Sequence, residues 1–151
     1  MAKEQNRLAD FLVRNSGSLL AEWTKELTTG AALGDKRISE SEIREQAKDF
    51  LEVLATAANS GAVDIQAKEW KPVLEYLEGV SRSRVGQGFS SDQTAMFVFS
   101  LKRPLFAKLR QELGKDAVAL ADETWAATEL LDSLGLQTVK TYQKTREDVI
   151  N

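Results

Sequence analysis

The stretch that decides the fold runs from Asp116 to Asn151 and reads DAVALADETWAATELLDSLGLQTVKTYQKTREDVIN. It holds no proline and a single glycine, Gly135. At 1.5 Å per residue a helix of that length extends roughly 50 Å, more than a compact domain of this size needs. Two apolar stripes run along it. One carries Leu120, Ala127, Leu131, Leu134 and Tyr142; the other carries Val118, Ala121, Trp125, Leu136 and Val139, with Leu130 between them. A surface helix needs one such stripe, so the surplus predicts contact both with its own domain and with something else. The first stripe, together with Gly135 and Thr138, is assigned to subunit contact and signal relay, and Leu134→Glu is expected to weaken a dimer. The plain alternative is a helix buried at the centre of a monomeric bundle. Gly135 costs about 1 kcal/mol relative to alanine in a helix interior, which close packing or a hinge would justify. Past Tyr142 the sequence turns polar, as a helix leaving the body would.

Working back from this helix, the other elements are also helical. Leu8, Phe11 and Leu12 form a short stripe, and Ser16 or Ser18 is placed to cap a second helix bearing Leu19, Leu20, Trp23 and Leu27. Gly30 and Gly34 break the pattern. Ser39 and Glu42 have the spacing of a capping box, with Ile38 and Ile43 set for a hydrophobic staple. Ile43, Ala47, Phe50, Leu51, Leu54 and Ala58 then share one face, which Asn59-Ser60-Gly61 ends. Pro72 fits only the first turn of the next helix, whose stripe is Trp70, Val73, Leu74, Leu77 and Val80. Gly86-Gln87-Gly88 stops it, and Ser90 with Gln93 forms a second capping box. The helix that follows reaches Gly114 through Pro104, where a kink is expected. No stretch alternates with period two. The expectation is an all-α bundle of six or seven helices, a single domain over 1–151.

Composition narrows the function. The 42% apolar share of 151 residues supports a self-sufficient core, about 70% of the unfolded surface being buried at this length. A net charge of −3 argues against nucleic acid or an anionic membrane as partner. The longest apolar runs, Ala95 to Phe99 and Ala117 to Ala121, fall far short of the ~20 residues a bilayer span needs, so the expected location is cytoplasmic. The chain has no cysteine and no histidine. Thiolate and His-based metal sites, cysteine nucleophiles, His triads and a proximal histidine for haem are thereby excluded.

The remaining chemistry is thin. Glu40, Glu42 and Glu45 are accounted for by the dipole of the helix they open, and Asp122, Glu123 and Glu129 lack the second motif of a di-metal site. Arg82, Arg84, Lys102 and Arg103 bracket the glycine turn and suit either an anion or ordinary salt bridges. Tyr76 and Tyr142 are the only tyrosines that a haem iron could take as ligand. Trp70, Phe97 and Trp125 suit either core or an apolar pocket for a small-molecule effector. No general base can be named, so no enzyme and no cofactor are expected.

With the helices placed, the chain resembles the N-terminal domain of RsbR-type proteins, the RsbT co-antagonists of the bacterial stressosome. The resemblance rests on Leu19-Leu20-Ala21-Glu22-Trp23, on Arg84-Val85-Gly86-Gln87-Gly88-Phe89-Ser90, on Leu101-Lys102-Arg103, and on Leu131-Asp132-Ser133-Leu134 through Tyr142 to Arg146-Glu147. It implies a globin-like helical fold, usually without haem, that forms a homodimer. It also implies a C-terminal STAS output domain, which these residues do not include, other stressosome proteins as partners, and a role as an anti-sigma factor antagonist. The competing expectation is a receptor domain that binds a small apolar ligand among Trp70, Phe97 and Trp125.

Overall fold

The computed structural model describes residues 2–29 and 38–150, with side chains over 8–29 and 38–148. The glycine breaks at Gly30 and Gly34 lie outside the described residues. Among the described residues there is no strand, and the elements are α1 (Ala2–Arg14), α2 (Ser16–Thr29), α3 (Glu40–Asn59), a 3-10 turn (Lys68–Trp70), α4 (Lys71–Gly86), α5 (Ser91–Phe99), α6 (Lys102–Leu113) and α7 (Ala117–Ile150). The chain is all-α with a long C-terminal helix.

Each boundary has a local cause. Ser39 Oγ accepts the Glu42 backbone N–H at 3.1 Å and so caps α3. The capping box is only half formed there, because the Glu42 carboxylate accepts instead from the Gln87 side-chain amide at 3.2 and 3.4 Å. At Ser90 both halves are present: Ser90 Oγ accepts the Gln93 N–H, and Gln93 Oε1 accepts the Ser90 N–H. Pro72 sits in the first turn of α4, as expected.

That helix ends in a Schellman motif: the Phe89 N–H donates to Arg84 O and the Gly88 N–H to Val85 O, with Gly88 at φ 84°. Only glycine takes that left-handed conformation without steric cost. Between α1 and α2 neither serine caps. Asn15 occupies the junction, its side-chain amide donating to Phe11 O at 3.0 Å and to Glu112 Oε1 at 2.9 Å.

The expected kink at Pro104 is a full break. One helix ends at Phe99 and the next begins at Lys102, with Pro104 in its first turn, where a missing N–H costs nothing. The intervening Ser100 hydroxyl donates to Phe97 O and accepts the Trp23 indole N–H at 2.9 Å.

Packing is built around two long helices. α3 packs against α1, α2 and α4, while α7 lies across α4, α5 and α6. Between them sits an aromatic cluster: Trp23, Phe50 and Phe97 have ring centroids 5.0 to 5.8 Å apart, and Tyr76 adjoins Phe50 at 6.4 Å. Such pairs contribute about 0.5–1.5 kcal/mol each beyond area burial.

α7 is continuous for 34 residues, about 51 Å, and Asp116 Oδ1 caps it by accepting the Ala119 N–H. The helix is unbroken at Gly135.

Candidate interaction and relay site

The two stripes of α7 have opposite fates. Ala127, Leu131 and Leu134 are fully buried and Thr138 and Tyr142 nearly so, with Leu120 half-buried. These residues were expected to meet a second subunit; they are instead the domain's own core, because α4, α5 and α6 cover that side. The expectation for Leu134→Glu changes with it, from a weakened dimer to a disrupted core.

The outward stripe is the available one. Val118 is 71%, Trp125 66% and Leu136 62% exposed. At 100° per residue these three fall within about 20° of one another, on the far side from Leu131, over an axial span of about 27 Å. Three large apolar side chains aligned in water mark a contact surface more than they mark a core.

Trp125 therefore does not line a pocket. Trp70 and Phe97 are both buried, but apart in function: the Trp70 indole N–H donates to Ala62 O at 2.7 Å, and Phe97 belongs to the aromatic cluster. The expected apolar pocket among these three residues is not formed. A groove of about 380 Å³ lies elsewhere, against the α1–α2 junction and α3, with Leu12, Leu20, Leu51 and Ala55 beside the exposed Lys48 and Glu52.

Gly135 is a close-packing position. The Phe99 ring of α5 lies on it, and a Cβ there would overlap the far edge of that ring. Lys102 Nζ sits 5.4 Å from the centre of the same ring and pairs with Asp132, so α5, α6 and α7 are joined at one point.

The basic cluster does not converge. Arg82 pairs with Glu78 at 3.5 Å and Arg103 with Glu26 at 3.7 Å, both at exposed positions. Arg84 is different: only 3% exposed, it donates to Gln46 Oε1 at 2.7 Å and to Gln87 Oε1 at 3.4 Å, with the Phe89 and Phe97 ring centres at 5.7 and 5.8 Å. Burial lowers its pKa from the ordinary arginine value, and the Glu42 charge opposes that.

Tyr76 donates to Gln46 O at 3.1 Å, and burial, helped by Asp49, pushes its pKa up to about 12. The Tyr142 hydroxyl donates to Phe89 O. Both tyrosine oxygens, the only conceivable haem ligands raised by the sequence, are engaged with backbone carbonyls. Among the described residues no group of three acidic side chains is placed to hold a metal.

The Arg84 network was missed in the sequence, although a signal existed. Arg84 follows Val73, Leu77 and Val80 at helical spacing, so it occupies a core position on α4.

The model of the RsbT co-antagonist protein rsbRD N-terminal domain matches residues 17–151, nearly the whole chain. The chain belongs to this family. The rsbRD N-terminal domain match begins at Gly17, so it takes in α2 to α7, the Arg84 turn and both faces of α7, and leaves α1 outside. No curated protein and no solved structure matches the chain. As an rsbRD N-terminal domain it is an RsbR-type sensory domain of the stressosome, a regulatory family. Among the described residues no helix is long and apolar enough to cross a membrane.

Proposed function

We propose that this domain is a haem-free input module of a cytoplasmic stressosome protein, that it forms a homodimer through the outward face of α7, and that α7 relays a stress signal to a C-terminal STAS domain in an anti-sigma factor antagonist. The observation that carries the dimer is the aligned exposure of Val118, Trp125 and Leu136 on the helix that leaves the body. A tryptophan two-thirds exposed is a poor surface residue for a monomer and a frequent anchor at protein interfaces.

Continuity of the helix supports the relay. The body grips α7 from Ala119 to Thr145, the last of its described side chains to be buried, and the helix runs on to Ile150. A small shift of one α7 against its twin would move whatever follows it. The lack of histidine and the engagement of both tyrosine hydroxyls support the haem-free reading.

Leu136→Glu tests the dimer without touching the core. Light scattering should show a monomer with an unchanged helical circular dichroism spectrum. A dimer of undiminished strength would remove the outward face from consideration.

A further inference from the structure

The turn that closes α4 has a property that family membership does not supply. Arg84 carries a buried positive charge that feels the Glu42 carboxylate without forming an ion pair with it. Two glutamines stand between. Gln46 and Gln87 each offer a side-chain oxygen to the guanidinium, and each turns its amide nitrogen toward Glu42, at 3.5 Å from Gln46 and 3.2 Å from Gln87. The interaction is thus relayed through two oriented amides, and Glu42 has left its capping box to complete it. A buried charge persists only while such compensation is intact.

Phe89 connects this network to α7. Its ring lies against the Arg84 guanidinium, its N–H donates to Arg84 O, and its carbonyl accepts the Tyr142 hydroxyl. Tyr142 is one turn before Thr145, beyond which the described side chains of α7 are exposed. Phe89 therefore cannot shift without disturbing either Arg84 or Tyr142.

We infer that the Gly86–Phe89 turn is a latch that couples the N-terminal end of α3 to the exit end of α7 through the Glu42–Gln46/Gln87–Arg84–Phe89–Tyr142 chain. With the charge on Glu42 removed, the guanidinium is left uncompensated and draws toward water, taking Gln87 and the Phe89 ring with it and releasing Tyr142. A packed interior offers such a group two discrete arrangements and not a continuous slide. As regulation the latch rests on the relay reading above; as a coupling it does not, and its test needs neither a dimer nor an output domain.

The experiment is hydrogen exchange by mass spectrometry on the full chain carrying Glu42→Gln, which keeps shape, removes the charge and leaves one oxygen to accept from the two glutamine amides. Amides of residues 138–146 should exchange about tenfold faster, with residues 119–127 of the same helix unchanged. Coupling is reciprocal, so Tyr142→Phe should speed exchange at residues 43–47 of α3. The double variant should exchange no faster at 138–146 than the faster of the two single variants. Acceleration confined to α3, acceleration spread evenly along the chain, or multiplication of the two single effects would each overturn the latch. A chain that loses its dimer through Leu136→Glu yet keeps this pattern would separate the latch from the dimer proposal.

Discussion

The inward and outward faces of α7 are built from similar residues and lead opposite lives. Leu131 and Leu134 vanish under α4 to α6, while Trp125 and Leu136, on neighbouring turns, stand in water. Apolarity alone does not tell a core face from a contact face. Closeness does: the inward face includes Gly135, where a helix approaches so tightly that the Phe99 ring occupies the space of a side chain. The outward face has no such position and offers a large aromatic instead.

Substitutions on the two faces should separate cleanly. Leu134→Glu places a carboxylate in a fully buried site and should cost at least about 4 kcal/mol, enough to abolish cooperative melting by circular dichroism. If that variant folds normally and only its oligomeric state changes, the faces have been assigned the wrong way round. Gly135→Ala pits about 1 kcal/mol of helix propensity against overpacking of about 1–3 kcal/mol at Phe99, so a net loss of about 1 kcal/mol is expected in urea melts. A gain in stability would mean that the Phe99 ring yields freely and that the α5–α7 contact is loose.

Smaller effects probe the exit end. Tyr142→Phe leaves the buried Phe89 carbonyl without this donor and should lower stability by about 1 kcal/mol, read from the same melts. No change would show that the hydroxyl contributes nothing to holding the turn. Tyr76 holds its proton longer in the folded chain than in the unfolded one, so its contribution is complete below pH ~10 and is lost as pH rises toward about 12. Absorbance at 295 nm should show a tyrosine step near pH 12, and a Tyr76→Phe variant should lack it.

Much of this fold was legible in the sequence because it depends on local chemistry. Ser90 with Gln93, Pro72, and the glycines after α4 specify their boundaries through hydrogen bonds within a few residues. The length of α7 was legible for the same reason, but at Gly135 the sequence left close packing and a hinge open, and the approach of Phe99 decides for packing. The errors arose where distant partners decide. Two stripes compete for burial on α7, and only the arrangement of α4 to α6 selects the one centred on Leu131. Trp125 looked like pocket lining because size and apolarity favour burial, yet its position opposite Leu131 turns it outward. Glu42 had the right spacing for a capping box but answered a stronger demand from Arg84, 42 positions away. Pro104 was placed inside a helix because the apolar period continues across it; the chain keeps the period and breaks the backbone at Ser100-Leu101.

The outward face remains the central claim, and Trp125→Glu addresses it most directly. Measured by sedimentation equilibrium across a range of concentrations, the parent chain should be a dimer. The variant should associate more weakly by about 2–4 kcal/mol, the loss expected of an interfacial tryptophan anchor, with unchanged thermal melting of the monomer. A parent that stays monomeric at every concentration, or a variant that dimerises as tightly as the parent, would contradict it.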